Sequence, residues 1–353
     1  MNDVATRPSD PRTDRRWRGP TILEIARVSG VGTATVDRVL NGRGGVREAT
    51  RSKVLAAVDA LNGGAKPGPV AAPSRPRIAF LTESGPSFNR TLQEAVEAYA
   101  AGREDVACTF AAVASAGADP VAFAQLVERT AAAADGLVLV AREDLTINRA
   151  VRTVTARGIP VVCVATDLPS SGRLAFVGSD QTAAGATAAH LMGRVLGGRA
   201  GNVLLVISAP YRGQEERELG FRRVLRAEFP RLNVEERVNS DDDIESAYRN
   251  VRRYIEERGP PVGVYNVAAG NVGIARALGE EGLGGKAVFV GHELNANSRT
   301  LLESGGMDFV IGHDMDVEVA LSVETILAHL DGRPAPASTR TRVRVYTKFN
   351  CDT

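Results

Sequence analysis

The chain has 353 residues and a mass of 37.3 kDa, which exceeds one domain of ordinary size and predicts two or three domains. Its composition is 44% hydrophobic and 24% charged. Its apolar runs stop well short of the roughly 18 residues that a membrane helix needs, so we expect no membrane segment. Three widely spaced cysteines without a C-x-x-C pair argue against a disulfide framework and a zinc site.

The positive charge is concentrated at the amino-terminal end. Residues 1–64 carry a net charge of +4, whereas the rest of the chain carries −3. Clustered cations favour nucleic acid through counterion release, although residues 1–19 can also be interpreted as a disordered basic tail. Met1–Trp17 contains Arg, Asp and Pro where a secretory signal needs an apolar core, so we expect a cytoplasmic protein.

Residues 20–62 show helical periodicity and predict three short helices. Thr21 and Glu24 form a capping-box pattern that starts the first helix, and Gly30 ends it. The second helix is predicted over Thr33–Leu40 and the third over about Glu48–Leu61. The residues predicted to face inward are Ile22, Ile25, Ala26, Val28, Val36, Val39, Leu40, Val54, Leu55, Val58 and Leu61.

A Gly/Pro-rich linker follows over residues 63–76, where four prolines prevent a regular helix. Apolar strands and helices then alternate through residues 77–353. The predicted strands are Ile78–Thr82, Val106–Ala112, Gly136–Val140, Pro160–Val164, Asn202–Ile207, Val234–Val238, Gly263–Val267 and Ala287–Val290, with an edge strand in Thr341–Thr347. The predicted helices are Thr91–Ala101, Val121–Ala134, Ile147–Arg157, Ala183–Leu196, Arg217–Glu228, Ile244–Glu257 and Val272–Glu281.

These strands are continuously apolar, which is typical of parallel sheets covered by helices on both faces. The two series of strands predict two α/β lobes. Because open parallel sheets bind ligands at the carboxyl ends of their strands, we expect a small molecule in the cleft between the lobes.

The segment from Ala26 to Asn41 has the spacing A-x-x-x-G-V-x-x-x-T-V-x-R-V-L-N. Together with Thr21, it resembles the helix-turn-helix of the lactose-repressor family. The two-lobed remainder resembles the ribose-type periplasmic binding fold that this family carries. The resemblance covers about residues 20–353 and implies an all-α helix-turn-helix domain followed by a two-lobed α/β sensor domain.

In such a module the second helix enters the major groove by its amino-terminal end. Thr33 and Ala34 would then meet base edges, and Arg38 would face a guanine, whose O6 and N7 suit a guanidinium. Phosphate contacts are expected from Thr21, Thr35 and Asn41, although Thr35 and Asn41 could instead serve only as caps or turn residues. Asp37 stands where the family more often has a small hydroxyl residue, and it needs a neighbouring arginine to offset its charge.

Polar and aromatic residues at the predicted strand ends suggest a site for a polyhydroxylated ligand. The candidates are Ser87, Phe88, Asn89, Asp167, Arg217, Asn266, Glu293 and His313. Each has a simpler interpretation: Asp167 could start a turn, Asn266 could bond strand-end backbone, and Phe88 could be core. His292 and His313 lie on separate strand ends without i,i+4 spacing, which disfavours a metal site.

The sequence contains no dinucleotide-binding, P-loop or nucleophile-elbow motif, so we predict no cofactor and no catalytic residue. These observations favour a transcriptional regulator whose operator affinity is set by a small sugar or polyol. One helix-turn-helix makes too few base contacts for specificity, so a homodimer on a near-palindromic operator is expected. The competing interpretations are a sugar-modifying enzyme or a solute-binding protein fused to a DNA-binding module.

Overall fold

The structure is a computed structural model that describes residues 20–62, 75–234, 237–336 and 338–352. The chain divides into two compact units between Ser74 and Arg75, within the segment predicted as a linker. The predicted tail over residues 1–19 and linker residues 63–74 lie outside the described residues.

The first unit contains three helices, α1 (Ile22–Ser29), α2 (Thr33–Leu40) and α3 (Glu48–Asn62). The predicted capping box is present: the Thr21 hydroxyl accepts from the Glu24 amide at 3.3 Å, and the Glu24 carboxylate accepts from the Thr21 amide at 2.8 Å. Gly30 ends α1 with a φ of 66°, a left-handed conformation that favours glycine.

The core of this unit is smaller than the periodicity predicted. Its buried members are Ile25, Val36, Val39, Val54 and Ala57. Ile22, Leu40, Leu55 and Leu61 were expected to face inward, but they are 36–47% exposed. In α3 the buried stripe follows Val54, Ala57 and the half-buried Val58, which rotates Leu55 toward solvent. Three short helices cannot cover a wider apolar face.

The second unit has two lobes, each built on one sheet. The sheet of the N-terminal lobe is parallel, in the order β2-β1-β3-β4-β5. Its strands are β1 (Arg77–Ser84), β2 (Ala107–Ala114), β3 (Gly136–Val140), β4 (Val161–Val164) and β5 (Ala175–Val177). The helices that follow its first three strands are α4 (Pro86–Ala100), α5 (Pro120–Ala132) and α6 (Leu145–Ala156).

The C-terminal lobe repeats this plan with its own sheet, in the order β12-β11-β10-β9-β6-β7, and β8 also pairs with β6. Its strands are β6 (Gly201–Ile207), β7 (Leu232–Asn233), β8 (Arg237–Asn239), β9 (Gly263–Asn266), β10 (Val288–His292), β11 (Phe309–Gly312) and β12 (Arg344–Tyr346). Its helices are α7 (Gln181–Leu196), α8 (Arg212–Glu228), α9 (Ile244–Arg258), α10 (Asn271–Glu280) and α11 (Ala296–Ser304). All pairings are parallel except that of β11 with β12, the edge strand predicted in Thr341–Thr347.

The last helix, α12 (Met315–Asp331), returns to the N-terminal lobe. Its side chains Met315, Val319, Val323 and Ile326 pack in one buried cluster with residues of β1, β3 and β4. The chain then crosses back to the C-terminal lobe, and Thr341 pairs with Gly178 of the earlier crossing segment, its amide 3.1 Å from the Gly178 carbonyl oxygen.

Several predicted elements differ from the structure. The strand expected over Val234–Val238 is replaced by β7 before it and β8 at its end, with residues 235 and 236 outside the described residues. Helix α8 begins at Arg212 rather than Arg217. Helix α4 begins at Pro86 rather than Thr91, because a proline is tolerated in the first turn of a helix, where its missing amide costs nothing. Strands β5 and β11 and helices α11 and α12 were not predicted.

Candidate functional site

Helix α2 presents three of the predicted DNA-reading side chains to solvent. Val36 and Val39 are buried, while Thr33, Ala34 and Arg38 are exposed on the remaining surface and Thr35 is half-buried. Glycine at position 32 precedes the helix, and no side chain caps its first amides. The amino-terminal end of α2 therefore offers unpaired amides beside the side chains expected to meet a base pair.

Asp37 is compensated by Arg43 rather than by Arg38. Arg43 Nη1 lies 3.1 Å from one Asp37 carboxylate oxygen, and Asn41 Nδ2 donates to the other at 2.8 Å. Asn41 also donates to the Asp37 carbonyl oxygen at 2.9 Å. The side chains of Asn41 and Thr21 are thus engaged at helix ends, so each would have to share or exchange a hydrogen bond to hold a phosphate.

A cavity of about 240 Å³ lies between the two lobes of the second unit. It is lined by residues that follow the carboxyl ends of β1, β4, β6, β8, β9 and β10. The strand order reverses at β1 in one sheet and at β6 in the other, and such reversal points are where doubly wound sheets bind ligands. The volume is below the roughly 300–1,000 Å³ of drug-sized pockets, which suits a small ligand.

Four of the eight predicted ligand residues line this cavity: Ser87, Phe88, Arg217 and Glu293. Three others lie behind the wall. Asn89 donates to the Ser84 carbonyl at 2.9 Å, Asn266 donates to Asn271 Oδ1 at 2.7 Å and to the Ala268 carbonyl at 3.0 Å, and His313 contacts Glu293. These three side chains hold the lining loops in place.

Asp167 is not brought to the cavity. Its carboxylate forms a two-bond ion pair with Arg173, with Arg173 Nη2 2.6 Å from Oδ2. A short 3₁₀ turn over Pro169–Ser171 returns the chain so that Arg173 reaches Asp167. The simpler interpretation, a turn residue, describes this position.

Arg217 is the central cation of the cleft, and its guanidinium is held on several sides. Its side chain is 10% exposed, Nε donates to Gln181 Oε1 at 2.6 Å, and Nη1 donates to the Val267 carbonyl at 2.9 Å. Nη2 lies 3.7 Å from Glu293 Oε1. These contacts fix the plane of the fork, so its remaining N–H groups have a defined direction toward a ligand.

Behind Glu293, a buried histidine lies between two carboxylates. His313 Nε2 is 3.2 Å from Glu293, and Nδ1 is 2.8 Å from Glu318 of α12. Burial alone would lower the pKa of His313, but the charges of Glu318 and Glu293 raise it well above its usual value. Burial would raise the pKa of Glu293, yet His313 and Arg217 hold it below its usual value. Both ring nitrogens face carboxylates, an arrangement that favours the protonated ring.

His292, at the end of β10, lines the cavity and is neutral. Burial and the nearby charges of Arg217 and His313 lower its pKa well below the usual value. Its Nε2 lies 2.8 Å from the Tyr265 hydroxyl, and burial raises the pKa of Tyr265. Tyr265 is fully buried and does not line the cavity, so this pair brings no charge to the cleft.

Sequence reasoning missed the contacts that join the two lobes and, apart from Ser87, the residues that make them. Tyr211 donates to the Glu83 carbonyl at 2.8 Å, Ser115 donates to Asp242 at 2.7 Å, and Asn295 donates to Ser87 at 3.0 Å. Each bond links residues more than 100 positions apart, so no local spacing could reveal it. The available signal was that Asp242 lies three residues after the end of β8.

Unusual backbone conformations mark the same cleft. Among the described residues, the non-glycine residues with positive φ are Ala165 (62°), Asp241 (51°), Asp242 (53°) and Glu293 (69°). Three of them, Ala165, Asp242 and Glu293, line the cavity. Such strained residues persist where the surrounding structure fixes them, which is common at ligand sites.

Comparison with known families agrees with this architecture. Residues 21–62 match the bacterial regulatory proteins of the lacI family, and residues 78–334 match the periplasmic binding protein domain. Over residues 78–334 the chain belongs to the periplasmic binding protein domain family, and its residues 21–62 are a lacI-family segment. The fold class predicted from the sequence is confirmed: an amino-terminal helical module, then a two-lobed parallel-sheet domain.

Individual relatives resemble this protein over different parts of the chain. An HTH-type transcriptional repressor PurR from Photobacterium profundum is 57% identical over 42 residues, which are 12% of this chain and 13% of that protein. A glucose-galactose binding protein, GanP from Geobacillus stearothermophilus, has a TM-score of 0.71 and 19% identity over 79% of this chain and all of its own. A transporter solute binding protein from Agrobacterium vitis, bound with alpha-D-tagatopyranose, has a TM-score of 0.71 and 21% identity, covering 78% of this chain and 96% of its own. None of the described helices is long and apolar enough to cross a membrane.

Proposed function

We propose that this protein is a sequence-specific transcriptional repressor whose operator affinity is set by a small sugar or polyol bound between the lobes. One observation carries the proposal: the chain that displays Thr33, Ala34 and Arg38 on a helix-turn-helix also encloses a cavity whose lining includes Arg217. Hydroxyl-rich ligands suit this cavity, since its amides, carboxylates and guanidinium pair with hydroxyls while Phe88 offers an apolar face.

The acting form is a homodimer on a near-palindromic operator. Helix α2 spans only eight residues, and one such helix contacts too few base pairs to select a single genomic site. Two copies related by a two-fold axis double those contacts. Such a regulator works where the chromosome is, in the cytoplasm.

The ligand would act through the closure of the lobes. The bonds from Ser115 to Asp242, Tyr211 to Glu83 and Asn295 to Ser87 hold the lobes together around the cavity. A ligand that contacts both lobes stabilises this arrangement over an open one, and that difference in affinity is what can couple the cleft to DNA binding. Both release of the operator by an inducer and tighter binding by a corepressor are compatible with this closure.

Replacing Arg38 with alanine should reduce operator discrimination. Loss of a guanidinium from a base edge costs about 1–3 kcal/mol, so the ratio of operator to random-duplex affinity should fall roughly 5- to 150-fold. Fluorescence anisotropy with both duplexes at fixed salt measures this ratio. The matched control is Lys53→Ala on the exposed surface of α3, which should leave the ratio unchanged even if both affinities fall. An Arg38→Ala protein with an undiminished ratio would show that α2 does not read bases through this residue.

Replacing Arg217 with alanine should abolish the response to ligand while leaving operator affinity intact. The guanidinium is buried at the cavity wall, and losing its charged hydrogen bonds should weaken ligand binding at least about tenfold. The measurement is an operator titration with and without a sugar that raises the melting temperature of the wild-type protein, and circular dichroism verifies folding. Arg226→Ala, on the exposed side of the same helix, is the control. Loss of operator binding with a retained ligand response would refute the assignment, and conversion of the sugar to a product would favour an enzyme.

A further inference from the structure

The charges that line the cavity are not balanced. The charged lining residues are one cation, Arg217, and three carboxylates, Asp242, Asp243 and Glu293. Glu293 is matched by Arg217 and by His313. Asp243 is exposed and caps α9, accepting from the Ser246 amide at 2.7 Å. The carboxylate that stays close to a bound ligand without a counter-charge is Asp242.

Asp242 is held firmly but only by neutral donors. It is 9% exposed and accepts hydrogen bonds from the Ser115 hydroxyl at 2.7 Å and from the Ala269 amide at 3.4 Å. Among the described residues, no cation lies within ion-pair distance of it. A Cβ added at Gly85 would lie 2.9 Å from Asp242 Cβ, so the opposite lobe packs directly against this side chain.

The neighbouring arginines form ion pairs with carboxylates other than Asp242. Arg142 pairs with the buried Glu83. Arg212 lies 3.3 Å from Glu143 and 2.9 Å from Glu216. His292 carries no charge. Burial first, and then the negative charges of Asp242 and Glu83, raise the pKa of Tyr211 at the cavity wall, against smaller opposing effects of Ser115 and Arg142.

We infer that the cleft selects hydroxylated ligands that carry no negative charge, and that Asp242 is the residue that rejects phosphorylated and acidic sugars. This inference rests on the proposed function, because it specifies the ligand class of the same cavity. A phosphate brings about −1.5 to −2 charges. It would find Arg217 already matched and Asp242 facing it in a site that water screens poorly. A neutral sugar can donate its hydroxyls to Asp242, and an amino sugar would supply the missing cation.

The test uses the full chain and matched compounds. Thermal-shift and calorimetric titrations would compare the neutral sugars D-glucose, D-galactose and D-ribose with D-glucosamine, D-galactosamine, D-glucose 6-phosphate, D-ribose 5-phosphate, D-glucuronate and D-galacturonate. We expect binding by a neutral or amino compound, with its anionic counterpart bound about 100-fold more weakly. Asp242→Asn keeps an acceptor for Ser115. In this variant the ratio of the affinity for the neutral or amino compound to that for its anionic counterpart should fall at least about tenfold. Asp316→Asn, an exposed position on α12, should keep this ratio.

The outcomes separate the two claims. Tighter binding of a phosphorylated or acidic sugar than of its neutral parent would overturn the charge selection and leave a sugar-controlled regulator in place. An unchanged ratio in Asp242→Asn would overturn the role of Asp242. Absence of stabilisation by every compound, neutral, amino or anionic, would overturn the sugar effector and the selection together. The wild-type titrations decide the charge preference even if the variant does not fold.

Discussion

Replacing His313 with phenylalanine is expected to lower the free energy of unfolding of the second unit by about 3–5 kcal/mol. The substitution removes the cation between the buried carboxylate of Glu318 and the half-buried carboxylate of Glu293. Breaking a buried ion pair from one side costs that much because the remaining charge, here that of Glu318, is left unpaired. Glu318 is fully buried, and among the described residues its carboxylate then keeps only the hydrogen bond from the Thr341 hydroxyl, at 2.6 Å. Urea unfolding followed by circular dichroism measures the change.

The control is an exposed histidine of the same second unit. His190 is 58% exposed and lies 3.5 Å from Glu228, so His190→Gln should change stability by less than about 1 kcal/mol. The pH dependence gives a second check. Because the pKa of His313 is raised in the folded state, its stabilising contribution is complete below the unfolded value near 6.5 and is lost as pH rises through the folded value. The difference between wild type and His313→Phe should therefore narrow at alkaline pH. A difference that widens there, or a His313→Phe protein as stable as wild type, would contradict the charged triad.

Replacing Gly185 with alanine should destabilise the second unit by roughly 3 kcal/mol and weaken ligand binding as well. Helices α7 and α8 cross at two glycines: a Cβ at Gly185 would overlap the Arg217 carbonyl oxygen, and one at Gly220 would overlap the Thr182 carbonyl oxygen. Backbone cannot yield as a side-chain tip can, so the cost falls at the upper end of the range for overpacking. The shift moves the segment that carries Arg217. Urea unfolding and sugar titration measure the two effects.

Gly279 is the matched control because it also lies in a helix, α10, but a Cβ there meets nothing within 4 Å. Gly279→Ala should be neutral or stabilise by up to about 1 kcal/mol, since alanine loses less backbone entropy on folding. If Gly185→Ala behaved like Gly279→Ala, the close crossing of α7 and α8 would be wrong, and with it the explanation for how Arg217 is positioned.

Local patterns in the sequence predicted most of the secondary structure and the fold class. The capping box at Thr21, the helix-ending Gly30 and the continuous apolar strands each depend on residues close together in the chain. The errors lie where tertiary packing decides. Leu55 and Leu61 fit a helical stripe, but the three-helix core closes over Val54 and Ala57 instead. Helix α12 was missed because the predicted alternation ended at Val290.

The candidate site was predictable in part for the same reason. Arg217 and Glu293 directly follow or occupy recognisable elements, and they reach the cavity. Asp167 also follows a predicted strand, but its carboxylate pairs with Arg173 and does not line the cavity. The contacts that give the cleft its charge and closure, such as Ser115 with Asp242, join positions 127 residues apart and follow only from the assembled lobes.

The return of α12 to the N-terminal lobe affects how the protein is made. The sheet face around Ile78, Phe80 and Val138 is covered by Val319, Val323 and Ile326, which leave the ribosome much later. At about 5–20 residues per second, some 180 residues of intervening chain correspond to roughly 10–40 seconds of synthesis. During that interval the nascent N-terminal lobe exposes an uncovered apolar surface, which is open to aggregation until α12 packs against it.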